Sequence, residues 1–285
     1  MSEAIDALPP LRDVIAAHGL GARKSLGQHF LLDLNLTDKI ARAAGPLASG
    51  TVIEVGPGPG GLTRALLRNG ARRVIAVERD DRCISALKDL ETASGGRLEI
   101  LQGDARDIDV CALGDTPRRV VANLPYNIAT PLLIGWLHSA ACLQGMTLMF
   151  QREVADRIVA EPGRSAYGRL SVLANWRCRT RKLFNLPARA FTPPPNVESA
   201  VVALEPYAEL PWPADPAMLE TLTAAAFGQR RKMLRGALKS LPVDPLALLE
   251  GAGIKPTRRA ESLHIAEFAA LARMYERLNG PGAAP

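Results

Sequence analysis

The residues best equipped for chemistry fall in short stretches between positions 54 and 126. EVGPGPGGLT (54–63) places Gly56, Gly58, Gly60 and Gly61 directly after a β-branched run. Glycines in such a strand-to-helix turn have no Cβ, so a ligand can lie against the backbone. Glu78 follows 22 positions after Gly56, at the end of a second β-branched run. A carboxylate there can accept hydrogen bonds from both hydroxyls of a ribose. Asp104, in GDARD, ends a third run and suits an adenine amino group. Three successive strand ends would then bracket an adenosine-shaped ligand. The same spacing satisfies the dinucleotide pattern G-x-G-x-x-G, so the loop alone admits either NAD or S-adenosylmethionine.

Asn123-Leu124-Pro125-Tyr126 narrows the choice. An exocyclic amine is a poor nucleophile because its lone pair is delocalised into the ring, and it needs acceptors more than a strong base. The Asn123 side-chain oxygen and the Leu124 carbonyl could each accept one N–H and aim the lone pair at an electrophile. Alignment then carries most of the remaining burden. Tyr126 could stack on an extracted base, a contact worth about 1–3 kcal/mol. This chemistry is methylation of an amino group, with Asn123, Leu124 and Tyr126 as catalytic candidates.

These stretches need a scaffold that gathers strand ends. From residue 50 short β-branched runs alternate with amphipathic segments, the pattern of βαβ units and a largely parallel sheet. Strands are expected at 51–55, 73–78, 98–102, 120–122, 146–150 and 199–204, with helices at 80–90, near 131–138, from 151 and from 167. The proline-rich segment 206–216 reads as a linker. Helices at 218–227, 230–240, 245–251 and 265–278 follow it. The pattern predicts an α/β fold, a largely parallel sheet with a small C-terminal helical domain. The expected division is an N-terminal arm over 1–32, the Rossmann-like domain over 33–205 and a helical domain over 206–285.

Composition sets outer limits. An apolar fraction of 47% over 285 residues suffices for a sizeable core. Cys83, Cys111, Cys142 and Cys178 lie about thirty residues apart with no C-x-x-C pair, so neither a metal site nor a disulfide framework is expected. MSEAIDALPP carries acids and prolines in place of a basic start, and no apolar run reaches about eighteen residues. Neither a targeting peptide nor a membrane span is expected, and a cytoplasmic setting fits. The formal charge of +6 points to an acidic partner such as nucleic acid.

Nine stretches in order resemble the motifs of one family: ARKSLGQHFL (22–31), EVGPGPGGLT, Glu78, GDAR (103–106), NLPY (123–126), QREVADRI (151–158), YGRLSV (167–172), FTPPPNVES (191–199) and FGQRRKMLR (227–235). The family is the bacterial ribosomal small-subunit RNA adenine dimethyltransferases, and the likeness runs from about residue 20 to 270. The resemblance implies a Rossmann-like class I methyltransferase sheet of seven mostly parallel strands. It implies N6,N6-dimethylation of two adjacent adenines in the 3′-terminal hairpin of 16S ribosomal RNA, late in small-subunit assembly. It implies contacts to S-adenosylmethionine from His29, Leu31, Gly56, Glu78, Asp104 and Asn123, no metal, and Phe191 as a second aromatic wall against the flipped base. The implied partner is 16S rRNA within the small subunit or its precursor, with the chain acting as a monomer. His29 and Gly228 stand where the family often has Asn, and Arg259 to Leu263 replaces its usual Arg-Pro-Glu-x-Leu.

Phosphate contacts are expected from local clusters, since charge is spread: 25 basic against 21 acidic residues up to position 205, and 10 against 8 beyond it. Arg231, Arg235 and Lys239 recur every four residues, as on one helix face. Arg177, Arg179, Arg181 and Lys182 form a second cluster, and Arg23-Lys24 a third. A nicotinamide oxidoreductase would use the glycine loop and Glu78 but gives no role to NLPY. A non-catalytic assembly or mitochondrial transcription factor would not need Asn123, Glu78 and Asp104 together. A large-subunit adenine methylase conferring macrolide resistance shares the loop and a similar tetrad. FTPPPNVES and FGQRRKMLR favour the small-subunit family over it.

Overall fold

The structure is a computed structural model that describes residues 2–21 and 28–279. Arg23, Lys24 and most of the ARKSLGQHFL stretch lie outside the described residues. Two compact units form, one from Met1–Ala155 with Arg181–Pro206 and the other from Asp156–Thr180 with Tyr207–Pro285.

The first unit is built on parallel strands. In chain order the strands are β1 (Phe30–Leu31), β2 (Thr51–Val55), β3 (Val74–Glu78), β4 (Leu98–Gln102), β5 (Arg118–Asn123), β6 (Leu143–Gln151), β7 (Cys178–Leu186), β8 (Phe191–Thr192) and β9 (Ser199–Pro206). Seven of them form one sheet in the order β4-β3-β2-β5-β6-β9-β7, and β1 pairs with β8 as a separate two-residue ladder. β2 is parallel to β3 and to β5, while β9 runs antiparallel to β6. β2 and β3 are buried along their whole length, which is why they read as continuous apolar runs. The core gathers Val52, Val74 and Val121 of the sheet with Ile40 and Leu66 of flanking helices. Chain order reverses at β2: β3 and β4 lie to one side, β5 and β6 to the other. Open α/β sheets hold ligands at the carboxyl ends of strands at such a switch point.

Local chemistry explains the helices that start there. Helix Gly61–Arg68 begins straight out of the glycine loop, and helix Asp81–Ala93 is capped by Asp80, whose carboxylate accepts from the Arg82 N–H. The helix expected near 131–138 starts earlier, at Tyr126, so the last residue of NLPY is its first residue. The N-terminal arm carries helices Ser2–Asp6 and Leu11–Ala17, and Arg64 donates to the Pro9 carbonyl at 2.7 Å.

The second unit is helical, with helices Arg169–Arg177, Pro216–Gly228, Pro245–Gly251 and Ile265–Asn279 among its elements. Residues 156–180, read from the sequence as part of the sheet domain, group with it. Tyr167 explains why: it is fully buried, its hydroxyl donates to the Leu263 carbonyl at 2.8 Å, and its ring meets Phe227 edge-on.

Three expectations need correction or completion. The seventh strand is β7, which the sequence showed only as a basic cluster; Arg179, Arg181 and Lys182 lie on it. Cys111 and Cys142 form a disulfide, where none was expected. Short 3-10 turns at Val110–Ala112 and Ala140–Cys142 lead into β5 and β6, which pair from Arg118 and Leu143, and this brings the two Cα atoms to 5.7 Å. Arg231, Arg235 and Lys239 do not share one helix. The helix ends at Gly228, Met233 is extended, and only Leu234–Ala237 is helical before a 3-10 turn at Leu238–Ser240. The Leu234 and Arg235 N–H groups donate to the Arg258 and Pro256 carbonyls, which draws them out of a continuous helix. All three basic residues are exposed. Among the described residues no helix is long and apolar enough to cross a membrane.

Candidate active site

A cavity opens where β2 and β5 end side by side, lined by His29, Glu54, Gly56, Glu78, Asn123 and Tyr126 among others. Its floor is the glycine loop. Gly56 has φ +69°, a conformation that L side chains rarely adopt. A Cβ on Gly61 would fall 2.8 Å from the Leu31 carbonyl oxygen, so this glycine lets the 28–31 segment lie over the loop.

Glu78 has a second task beside the one expected. One oxygen accepts from the Arg79 and Asp80 N–H groups at 2.8 and 2.9 Å, and the other from the Gly58 N–H at 3.2 Å. It thereby ties the glycine loop to the end of β3. Burial raises its carboxyl above the ordinary value against the pull of those N–H groups.

Glu54 heads the glycine-loop motif and lies on β2, where the sequence pattern alone points to no role for it. It is 1% exposed, and its Oε2 has no hydrogen-bond partner although the residue lines the cavity. Burial pushes its carboxyl up to about 8; the neighbouring Thr63 hydroxyl softens the rise without aligning for a hydrogen bond, and Glu78 adds to it. A buried carboxylate with a free oxygen in a ligand-sized cavity is complementary to a donor or cation of the ligand. The sequence signal was a charged residue inside an otherwise apolar strand, TVIEV.

On the β5 side, the Asn123 Nδ2 donates to the His29 carbonyl at 3.2 Å. With its nitrogen so committed, Oδ1 is left to accept from a ligand. The His29 ring nitrogen Nδ1 bonds the Pro193 carbonyl at 2.8 Å, and the ring lies 5.5 Å from that of Tyr126, tilted by 31°. The Tyr126 hydroxyl meets Ser199 Oγ at 2.6 Å; burial raises its phenol above the ordinary value and the Ser199 bond opposes the rise.

Of the expected site residues, His29, Leu31, Gly56, Glu78, Asn123, Leu124 and Tyr126 therefore line one cavity. Asp104 stands beyond its lining, held by Arg106 and by Arg79 at 2.7 and 3.1 Å. Arg106 first, then Arg79, keeps its carboxyl well below the usual range. Phe191 is buried in the core, where β8 pairs it with Leu31, and presents no open face to a base. Among the described residues no group of three or more His, Cys, Asp or Glu is placed to hold a metal ion.

A sheet of this order, with a glycine loop after the first core strand and an acid after the next, defines the class I methyltransferases. Residues 19–277 match the model of the family described as ribosomal RNA adenine dimethylase, and the chain belongs to that family. The ribosomal RNA small subunit methyltransferase A of Rhodospirillum rubrum is 61% identical over 274 residues, 95% of this chain and 94% of its own. That of Azorhizobium caulinodans is 60% identical over 283 residues, 98% and 97% of the two chains. Among solved structures, a dimethyladenosine transferase from Plasmodium falciparum superposes with a TM-score of 0.76 at 29% identity, over 88% of this chain and 98% of its own. The 23S rRNA methyltransferase ErmE shares the fold, with a TM-score of 0.67 at 24% identity over 87% and 99% of the chains.

Proposed function

We propose that the chain uses S-adenosylmethionine to dimethylate the N6 amino groups of two adjacent adenines in the 3′-terminal hairpin of 16S ribosomal RNA. It would act as a cytoplasmic monomer on the small subunit or its precursor, late in assembly. The observation that carries the reading is the Asn123 amide. Its nitrogen is spent on His29, so its oxygen is free beside Tyr126 in the cavity that also holds the glycine loop.

The residues fit the cofactor. The free Glu54 oxygen suits a cationic donor, the Gly56 turn suits a ligand lying on the backbone, and Glu78 suits a ribose. Asp104, once released by Arg79, suits the cofactor's adenine amino group. His29 and Leu31 would close over it. When bound, the cofactor supplies an electrophilic methyl on a sulfonium, which is a good leaving group. The chain's own work is then orientation: Asn123 Oδ1 and the Leu124 carbonyl accept from the target amine, and Tyr126 stacks on the base. The full-length similarity to small-subunit relatives favours that substrate over large-subunit RNA.

Incubation with labelled S-adenosylmethionine and undermethylated small subunits, followed by mapping, should place label on two neighbouring adenines. Label on large-subunit RNA, or none on RNA, would overturn the reading. The helical unit would contact RNA phosphates through Arg231, Arg235 and Lys239. Replacing Arg231 and Arg235 by Gln should flatten the salt dependence of subunit binding by roughly one unit of slope per lost phosphate contact. Affinity for S-adenosylhomocysteine should stay the same, and an unchanged slope would remove these residues from the interface.

A further inference from the structure

Ser199 stands at the first position of β9, opposite Gln151 of β6, and is wholly buried. Nothing in the proposed chemistry gives it a task. Its hydroxyl nevertheless lies 2.6 Å from the Tyr126 hydroxyl, across 73 positions of sequence. Tyr126 opens helix Tyr126–His138, so its backbone is fixed by the helix while its ring keeps two side-chain torsions. The hydroxyl oxygen lies on the axis of the second torsion, so a hydrogen bond at the tip fixes the first torsion and with it the place of the ring in the cavity. The His29 ring, itself tied to the Pro193 carbonyl, flanks the tyrosine.

We infer that Ser199 is a positioning residue for methyl transfer, whose hydroxyl fixes where the Tyr126 ring stands as the platform on which the target base stacks. This inference rests on the reading of Tyr126 as the stacking platform. A base stacked on a ring free to swing about its first torsion would still bind, because stacking tolerates offset. Its amine would sweep past Asn123 Oδ1 instead of resting on it. Loss of the pin therefore belongs in turnover and not in substrate capture, since displacements of about an ångström at a reacting centre cost rate steeply.

The test compares Ser199→Ala, Tyr126→Phe, their double variant and Tyr126→Ala on undermethylated small subunits. Ser199→Ala and Tyr126→Phe remove the same bond from opposite ends, and Tyr126→Phe leaves the strand core untouched. Each should lower kcat by about tenfold, with KM for subunits and affinity for S-adenosylhomocysteine within about twofold of the parent. The double variant should be no slower than either single one. Ser199→Thr, which keeps a hydroxyl, should recover most of the rate. A full rate in Tyr126→Phe, or losses that multiply in the double variant, would overturn the inference. If Tyr126→Ala fell sharply while both hydroxyl variants kept full rate, stacking would stand and only the pin would fall. If Tyr126→Ala itself kept full rate, the stacking platform would be refuted and the pin with it.

Discussion

The two sides of the cavity are held in different ways. On the side proposed for the cofactor, the cofactor side, the partners are close in sequence: Glu78 receives the N–H groups of its next two neighbours and of Gly58, twenty positions away. On the side proposed for the target amine, the amine side, Asn123 reaches His29 across 94 positions and Tyr126 reaches Ser199 across 73. The cofactor side is mainly backbone geometry, and the amine side is mainly long-range side-chain hydrogen bonds. Backbone geometry is set once two adjacent strands pair. Side-chain bonds of this reach exist only when the N-terminal arm and the 191–199 segment have both docked. The two sides should therefore fail separately.

The largest expected effect is on the amine side. Asn123→Ala removes the acceptor and the tie to His29 together, and methyl transfer should fall by about a hundredfold or more, the scale for losing one preorganised polar group. Binding of S-adenosylhomocysteine by calorimetry should change far less. An equal loss in both measurements would mean that the tie to His29 organises the whole cavity, and the division into two sides would be broken.

Gly56→Ala probes the other side. A side chain at φ +69° is strained whatever the space around it, and the new Cβ would stand in ordinary contact with Pro125 Cδ at 3.6 Å. Cofactor affinity should drop by roughly tenfold, as about 1–2 kcal/mol of strain or displaced ligand would give. The rate at saturating cofactor should change little. A lost kcat with intact cofactor affinity would show that the glycine serves the amine.

That asymmetry also decides what the sequence could reveal. The glycine loop, Glu78 and the run of core strands were legible because each depends on neighbours in sequence: β-branched runs for buried strands, glycines for positive φ, an acid at a strand end. NLPY was legible as a set of residue types, but not its anchoring, because no local pattern links Asn123 to residue 29 or Tyr126 to residue 199. β7 was hidden for a related reason. Its segment CRTRKLFNL is half polar, and it becomes a strand only by adding to the edge of the sheet beside β9. Arg231 and Arg235 show the opposite error: four-residue spacing imitates a helix face, but the N–H groups of Leu234 and Arg235 are taken by carbonyls of residues 258 and 256. The Cys111–Cys142 pair likewise depends on two turns meeting and leaves no trace in spacing.

The subtlest prediction concerns Glu54, which sits on the cofactor side but has no backbone partner for its free oxygen. Burial pushes its folded-state carboxyl up to about 8 from an ordinary 4.5. Between those values the folded chain keeps a proton that the unfolded chain has released, so the contribution to stability falls as pH rises through this window. Fully expressed, the loss is on the order of 5 kcal/mol. Glu54→Gln, which cannot ionise, should flatten the decline in chemical-denaturation stability from pH 5 to 8. A cationic group placed beside Glu54 would favour the charged form and expel the proton. Calorimetry of S-adenosylhomocysteine binding at pH 7, in buffers of different ionisation enthalpy, should therefore show proton release in the parent and none in Glu54→Gln. Equal proton release in both proteins would put the cofactor's cation elsewhere and leave Glu54 a structural residue of β2. If instead the variant kept cofactor affinity but lost kcat, Glu54 would act on the amine, and the two sides would share a buried carboxylate.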